Sequence, residues 1–260
     1  MKKWLHRQLH RLTKLRRNLV TALALRFPAS IAFLPAPAPL NVREYKTADY
    51  PSDELIIFVP GIGDVLEDYE ANGFIEAVLQ SRAPADMIVV DAHFGYYLRR
   101  TVVERLRQDV IKPARAGDGY KKIWIVGISL GGFGALRYAS EYPGDVDALV
   151  LLAPYLGYAP IIGEIATAGG VRQWQPSREG AGADHERVLW LWLQRCVTSE
   201  LGLPPIYLGY GEDDKFAPAN RLLAELLPPE RVFTTAGGHD WRTWKQLWDM
   251  FIRARSERLA

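Results

Sequence analysis

A single cysteine, Cys196, in 260 residues leaves no partner for an internal disulfide. A disulfide-stapled scaffold is excluded, and the lone thiol lies in an apolar-rich segment where a buried, inert side chain is expected. The chain has no unbroken run of about 18 apolar residues, so a membrane-spanning helix is not expected. It also lacks a strong net charge, at +2, although the charge is unevenly placed: Met1 to Arg43 holds nine of the 32 Lys and Arg and none of the 30 acids. The remainder is therefore mildly acidic, which argues against a nucleic-acid platform. With 48% hydrophobic and 24% charged residues the composition is that of a soluble globular chain, and its length suits one α/β domain with one large core.

In the acid-free segment, Leu5, Leu9, Leu12, Leu19 and Leu23 recur at helical spacings with Lys and Arg between them. This is a basic amphipathic helix, and two readings stay open. Residues 1–27 could lie on an anionic membrane with the leucines in the acyl boundary, or the helix could be a solvated arm or dock on the protein itself. A secretory signal is a third reading, from Arg16-Arg17 ahead of Asn18 to Leu25 and small residues near Ala36 and Ala38, though Arg26 and Pro28 interrupt it. Pro35, Pro37 and Pro39 read as an extended linker. The expected organisation is an arm and linker over 1–40 and a catalytic domain over 41–260. A cytoplasmic location is expected, with peripheral membrane contact through the arm and export both left open.

Beyond residue 54, short apolar runs alternate with longer helical patterns. Leu55 to Val59, Met87 to Val90, Ile123 to Val126, Ala148 to Leu152, Ile206 to Tyr210 and Val232 to Thr235 read as fully buried strands. Phe74 to Leu79, Val102 to Ile111, Phe133 to Tyr142, Arg221 to Leu227 and Trp241 to Arg253 read as helices, the last burying Trp241, Trp244 and Trp248 on one face. The fold class is α/β: a mainly parallel sheet with helices on both faces. The interval between Ala153 and Ile206 breaks the alternation and carries Trp174, Trp190 and Trp192. A lid-like helical insertion over about 155–204, above the strands' carboxyl ends, is expected there.

The segment Gly127-Ile128-Ser129-Leu130-Gly131 matches G-x-S-x-G between a predicted strand and a predicted helix. Small residues are needed there because the chain reverses sharply at the serine, lifting Oγ above the sheet edge. A serine needs a base, and among the histidines outside the arm His239 fits best, because Gly237-Gly238 lets it turn back over the sheet from the last strand. His93 reads as an ordinary satisfied histidine, and His185 lies in the insertion beside Asp184. The acid comes from Glu212-Asp213-Asp214 after the penultimate strand, with Asp214 preferred, Asp213 its rival and Glu212 third. Two N–H donors must face the developing oxyanion: Leu130, next to the nucleophile, and Ile62 or else Gly61 in the Val59-Pro60-Gly61-Ile62-Gly63-Asp64 turn. Pocket candidates are Phe94, Tyr96, Tyr97, Tyr155, Tyr158 and the insertion's tryptophans; these aromatics favour an uncharged substrate group over a phosphorylated one.

The order Ser129, Asp214, His239 and the strand–elbow–helix context resemble the α/β-hydrolase superfamily over roughly residues 54–255. Gly-Ile-Ser-Leu-Gly-Gly and Gly-Gly-His-Asp-Trp are similar to its esterase branch, which includes enterochelin esterases and mycolyl transferases. Pro60 departs from the pattern, standing where a histidine often precedes the oxyanion glycine. The resemblance implies a serine esterase acting on small carboxylic esters or thioesters through an acyl-enzyme, with no metal or other cofactor. Acyl transfer by the same triad, or a non-catalytic hydrolase-like binding protein, are the alternatives.

Overall fold

A computed structural model describes residues 2–26, 35–47, 52–176, 184–198 and 204–258. In chain order the elements are α1 (Lys2–Arg26), β1 (Val42–Tyr45), β2 (Glu54–Val59), α2 (Glu67–Ala71), α3 (Phe74–Leu79), β3 (Asp86–Val90), α4 (Phe94–Leu98) and α5 (Val102–Leu106), which continues as π-helical turns over Arg107–Ile111. They are followed by β4 (Lys122–Ile128), α6 (Leu130–Glu141), β5 (Ala148–Leu152), α7 (Ala159–Thr167), α8 (His185–Thr198), β6 (Ile206–Gly211), α9 (Ala217–Ala224), β7 (Val232–Thr235) and α10 (Trp241–Arg258).

The strands form one seven-stranded sheet in the order β1-β3-β2-β4-β5-β6-β7. Neighbours pair in parallel except β1, which runs antiparallel to β3 with Val42 opposite Val90. The central strands read as unbroken apolar runs because each face is covered: Leu55, Ile57 and Val59 of β2 enter one core layer and Ile56 and Phe58 the other. The first layer packs beneath α5, α6, α8 and α9, the second beneath α3 and α10, where Trp248 stacks on Phe74 at 5.5 Å.

Several expectations need correction. The edge strand β1 has no counterpart in the sequence reading, because Arg43 and Glu44 break its apolar pattern and it is only partly buried. The strand β7, expected to be fully buried, is only partly so because it forms the other edge of the sheet, while α9 begins at Ala217 with Pro218 in its first turn, where a missing N–H costs no hydrogen bond. The prolines of 35–39 do not form a free linker: the Pro37 carbonyl accepts the Tyr96 hydroxyl at 2.7 Å, and the buried Leu40 donates its N–H to Asp109 at 2.8 Å. The linker thus packs on the body, and of the readings left open for the arm the structure shows docking on the protein itself, through Lys14 and Arg17. The insertion contributes α7 and α8, whereas 177–183 and 199–203, like the segment 27–34 and the side chains of Leu5, Leu9 and Leu23, lie outside the described residues. Among the described residues no helix is long and apolar enough to cross a membrane.

Candidate active site

Strand β4 hands over to α6 at Ser129, whose backbone has φ 51° and ψ −115°. A positive φ on a residue with a side chain is strained, and the surroundings hold it there. A Cβ on Gly131 would fall 2.0 Å from the Val59 carbonyl oxygen, and one on Gly127 would fall 2.5 Å from that of Gly131. Only glycine lets strand end, elbow and helix start approach this closely.

The Ser129 side chain meets the imidazole of His239, with Oγ and Nε2 2.9 Å apart. The other ring nitrogen, Nδ1, lies 2.8 Å from Oδ2 of Asp214. Asp214 is buried and its second oxygen accepts the Phe216 N–H at 2.8 Å, while Asp213 and Glu212 are exposed, so of the three acids only Asp214 reaches the histidine. The loops bearing acid and histidine are joined by the Asp213 N–H donating to the Gly237 carbonyl at 3.1 Å. Phe216 and Trp244 stand edge-on to the imidazole at 4.9 and 5.0 Å, restricting its tilt. Trp241, expected on the buried face of α10, is only partly buried and donates its indole N–H to Asp64 at 3.2 Å.

Gly61 arches over the serine, such that a Cβ there would lie 3.4 Å from that of Ser129. Leu130 opens α6, where the first-turn N–H groups have no intrahelical acceptor, and it lines the same cavity as Gly61 and Ile62. The loop is held by contacts with α1 that the sequence reading did not foresee. Arg17 donates to the Asp64 carbonyl at 2.7 Å and forks onto both oxygens of Asp91, at 2.6 and 3.1 Å. Lys14 reaches Asp68 at 2.8 Å and Asp64 at 3.4 Å, and His10 Nε2 lies 3.0 Å from Asp68. Asp68 also accepts the Val65 N–H at 2.9 Å. Burial raises the Asp64 carboxyl above its ordinary pKa, opposed by the Lys14 charge and reinforced by that of Asp68. The signal available in the sequence was the coincidence of an acid-free arm with an acidic body, but which charges meet is a property of the fold.

A cavity of about 770 Å³ opens above Ser129. Phe94 and Tyr155 line it, together with Tyr97, Tyr158 and Phe133. Tyr96 does not: it is buried beneath α4 with its hydroxyl turned to Pro37, because neighbouring residues on this short helix point in different directions. The insertion's tryptophans are not among the lining residues either. Trp190 is buried with its indole donating to the Leu156 carbonyl at 2.7 Å, and Trp174 donates to Glu164 at 2.9 Å. His93 caps α4 by accepting the Gly95 N–H at 3.2 Å. Two lining residues, Tyr97, a pocket candidate of the sequence reading, and His185, to which that reading gave no role, carry buried polar atoms, Oη and Nε2, with no partner among the described residues. No group of three His, Cys, Asp or Glu that could hold a metal ion occurs among the described residues.

The family described as alpha/beta hydrolase fold matches residues 108–175, the stretch that contains the elbow. An acetyl esterase of Caldicellulosiruptor saccharolyticus is 25% identical over 174 residues, covering 60% of this chain and 61% of its own. The chain thus spans less than two thirds of that relative. Among solved structures, the S-formylglutathione hydrolase of Staphylococcus aureus is 13% identical with a TM-score of 0.58, covering 85% of this chain and 99% of its own. Est1E of Butyrivibrio proteoclasticus is 18% identical with a TM-score of 0.55, covering 85% and 93% respectively. At such identities the likeness is one of fold.

Proposed function

The chain has the α/β-hydrolase fold, and on that premise we propose that it is a serine esterase cleaving carboxylic esters or thioesters of small molecules through an acyl-enzyme. The observation that carries this is the unbroken line from Ser129 through His239 to the buried Asp214, at 2.9 and 2.8 Å, in a cavity that aromatic side chains help to line. A non-catalytic relative of the fold has no need to hold a nucleophile at positive φ within reach of an aligned base. The acetyl esterase relative and the esterase and hydrolase neighbours in fold support the same class.

In this reading Ser129 Oγ attacks the ester carbonyl carbon while His239 Nε2 takes its proton. Asp214 fixes the tautomer that carries hydrogen on Nδ1 and stabilises the imidazolium that forms. The carbonyl oxygen becomes an oxyanion facing the N–H of Leu130 and that of Ile62 or Gly61. Collapse breaks the bond to the leaving alkoxide or thiolate, which receives the proton from Nε2. Water then attacks the acyl-enzyme, gives a proton to His239, and releases the acid as that proton returns to Ser129. Phe94, Tyr97 and Tyr155 shape an apolar acyl or alcohol site, and the neutral Tyr97 hydroxyl, its pKa pushed up by burial, offers a hydrogen bond to a substrate oxygen. α7 and α8 serve as a lid, with Tyr158 and His185 at its cavity edge.

A fluorophosphonate probe is expected to label the protein at Ser129 and block turnover of short-chain p-nitrophenyl esters, with neither effect in Ser129→Ala. Full ester turnover by that variant would overturn the assignment.

A further inference from the structure

Helix α1 is amphipathic, yet the face it turns to the body is the polar one. At about 100° per residue, His10, Lys14, Arg17 and Thr21 fall within an arc of about 60°. Lys14 and Arg17 make the ion pairs to Asp64, Asp68 and Asp91, His10 is hydrogen-bonded to Asp68, and Thr21 is buried. Leu12, Leu15 and Leu19 occupy an arc of similar width on the opposite side. They are 61%, 67% and 61% exposed, whereas an apolar stripe on a surface helix ordinarily faces the core. Arg11 and Arg16 are exposed on the two flanks of this stripe, and exposed Arg26 extends it. No acid occurs before Glu44 to offset them. The helix lies along the lip formed by the Gly61–Asp64 turn, where a Cβ on Gly63 would fall 2.0 Å from the Asn18 amide oxygen. Ile62 and Tyr158, which line the same cavity, are exposed apolar residues as well.

We propose that the outward face of α1 is a docking surface for an anionic lipid bilayer, with Leu12, Leu15 and Leu19 entering the acyl boundary and Arg11, Arg16 and Arg26 meeting headgroup phosphates. The charge of the face selects this occupant: leucine between cations is the pattern of helices that lie in a membrane interface, and anionic headgroups complement it. Two uses of the helix that the sequence left as alternatives, docking on the protein and docking on a membrane, are thereby assigned to its two sides. The helix that meets the lipid is the one that holds the oxyanion turn, so the cavity opens beside the bilayer and receives esters drawn from it. That last consequence rests on the esterase reading; the docking does not.

The test is co-sedimentation of the full chain carrying Ser129→Ala with vesicles of phosphatidylglycerol and phosphatidylcholine, and with phosphatidylcholine alone. Binding is expected to the anionic vesicles, about tenfold or more weaker to the zwitterionic ones, and to fall as salt is raised. Combined Leu12→Gln, Leu15→Gln and Leu19→Gln should reduce it about tenfold or more. In the chain with Ser129 intact, the same three substitutions should leave turnover of a short soluble ester unchanged. Should that variant fail to fold, Arg11→Gln with Arg16→Gln tests the cationic half and should weaken anionic binding alone. No binding to either vesicle, binding indifferent to these substitutions, or a concentration-dependent dimer in lipid-free buffer that the leucine variant abolishes would each overturn the proposal. Vesicle binding by a chain with no ester turnover would instead remove the esterase reading and leave the docking surface standing.

Discussion

Ser129 is flanked by two regions held in different ways. On one side, His239 and Asp214 stand on short loops leaving β7 and β6, adjacent parallel strands, and their positions follow from strand register and one inter-loop hydrogen bond. On the other, the Gly61–Asp64 turn follows β2 but is tied down by Arg17 and Lys14, with Lys14 and His10 also holding Asp68 of the adjoining α2, from a helix more than 40 residues earlier in the chain. The first side is built by the sheet, the second by charge across a tertiary contact. A buried carboxylate is expensive unless paired, so Asp64 and Asp68 make the second side dependent on α1 in a way the first is not.

The largest effects should come from breaking the first side. Ser129→Ala is expected to lower kcat about 10⁴-fold or more, and Asp214→Asn about 10⁴-fold through loss of the correct imidazole tautomer. Asp213→Asn, altering an exposed carboxylate that does not reach the ring, should remain near the unmodified rate. If Asp213→Asn were the more damaging, the assignment of the acid would be wrong. Breaking the second side should cost less. Arg17→Ala removes the fork onto Asp91 and the bond to the Asp64 carbonyl, and is expected to lower kcat about 10- to 100-fold, below the full loss of an oxyanion donor, with a smaller change in KM. Arg17→Lys should rescue it only in part, because an ammonium cannot reproduce the planar fork. A drop in melting temperature with unaltered kcat would mean that the turn keeps its shape without α1.

The same division governs what could be read from the sequence. Ser129 and Asp214 were legible because each sits just beyond a buried strand, and buried strands declare themselves as runs such as Ala148–Leu152; His239 follows the partly buried edge strand β7 and was marked instead by Gly237-Gly238. Burial then separated Asp214 from Asp213, a distinction of side-chain direction that a run of three acids conceals. Tyr96 was misplaced for a related reason, since on the five-residue α4 nothing in the sequence says which aromatic faces the cavity and which the Pro37 carbonyl. The amphipathic pattern of α1 was visible, but not which side faces the body. Periodicity reports an apolar face, and only the positions of Asp64, Asp68 and Asp91 show that the polar face has the better partners. β1 escaped notice because an edge strand needs only a half-apolar pattern.

A third region, ion-paired like the second, calibrates the comparison and should show the smallest effect. Arg187 of α8 forks onto Glu164 of α7 at 2.9 and 2.6 Å, and Trp174 adds a hydrogen bond to the same carboxylate at 2.9 Å. The Arg187 hydrogen bonds, with that of Trp174 second, hold the Glu164 carboxyl down at about 2. A folded-state pKa below the unfolded one means that the contribution is complete above the ordinary carboxylate range and is lost as pH falls through that range towards about 2. Glu164 is 38% exposed, so water screens the pair and its worth is at most about 1 kcal/mol. Glu164→Gln should therefore lower the melting temperature slightly at neutral pH, and the gap to the unmodified protein should narrow between about pH 5 and pH 3. Turnover at neutral pH should be unchanged, in contrast to Arg17→Ala, because this fork joins α7 to α8 and touches neither side of Ser129. A loss of activity in Glu164→Gln as large as that in Arg17→Ala would show that ion pairs at any depth in this fold perturb the site, and the special dependence of the Gly61–Asp64 turn on α1 would fall.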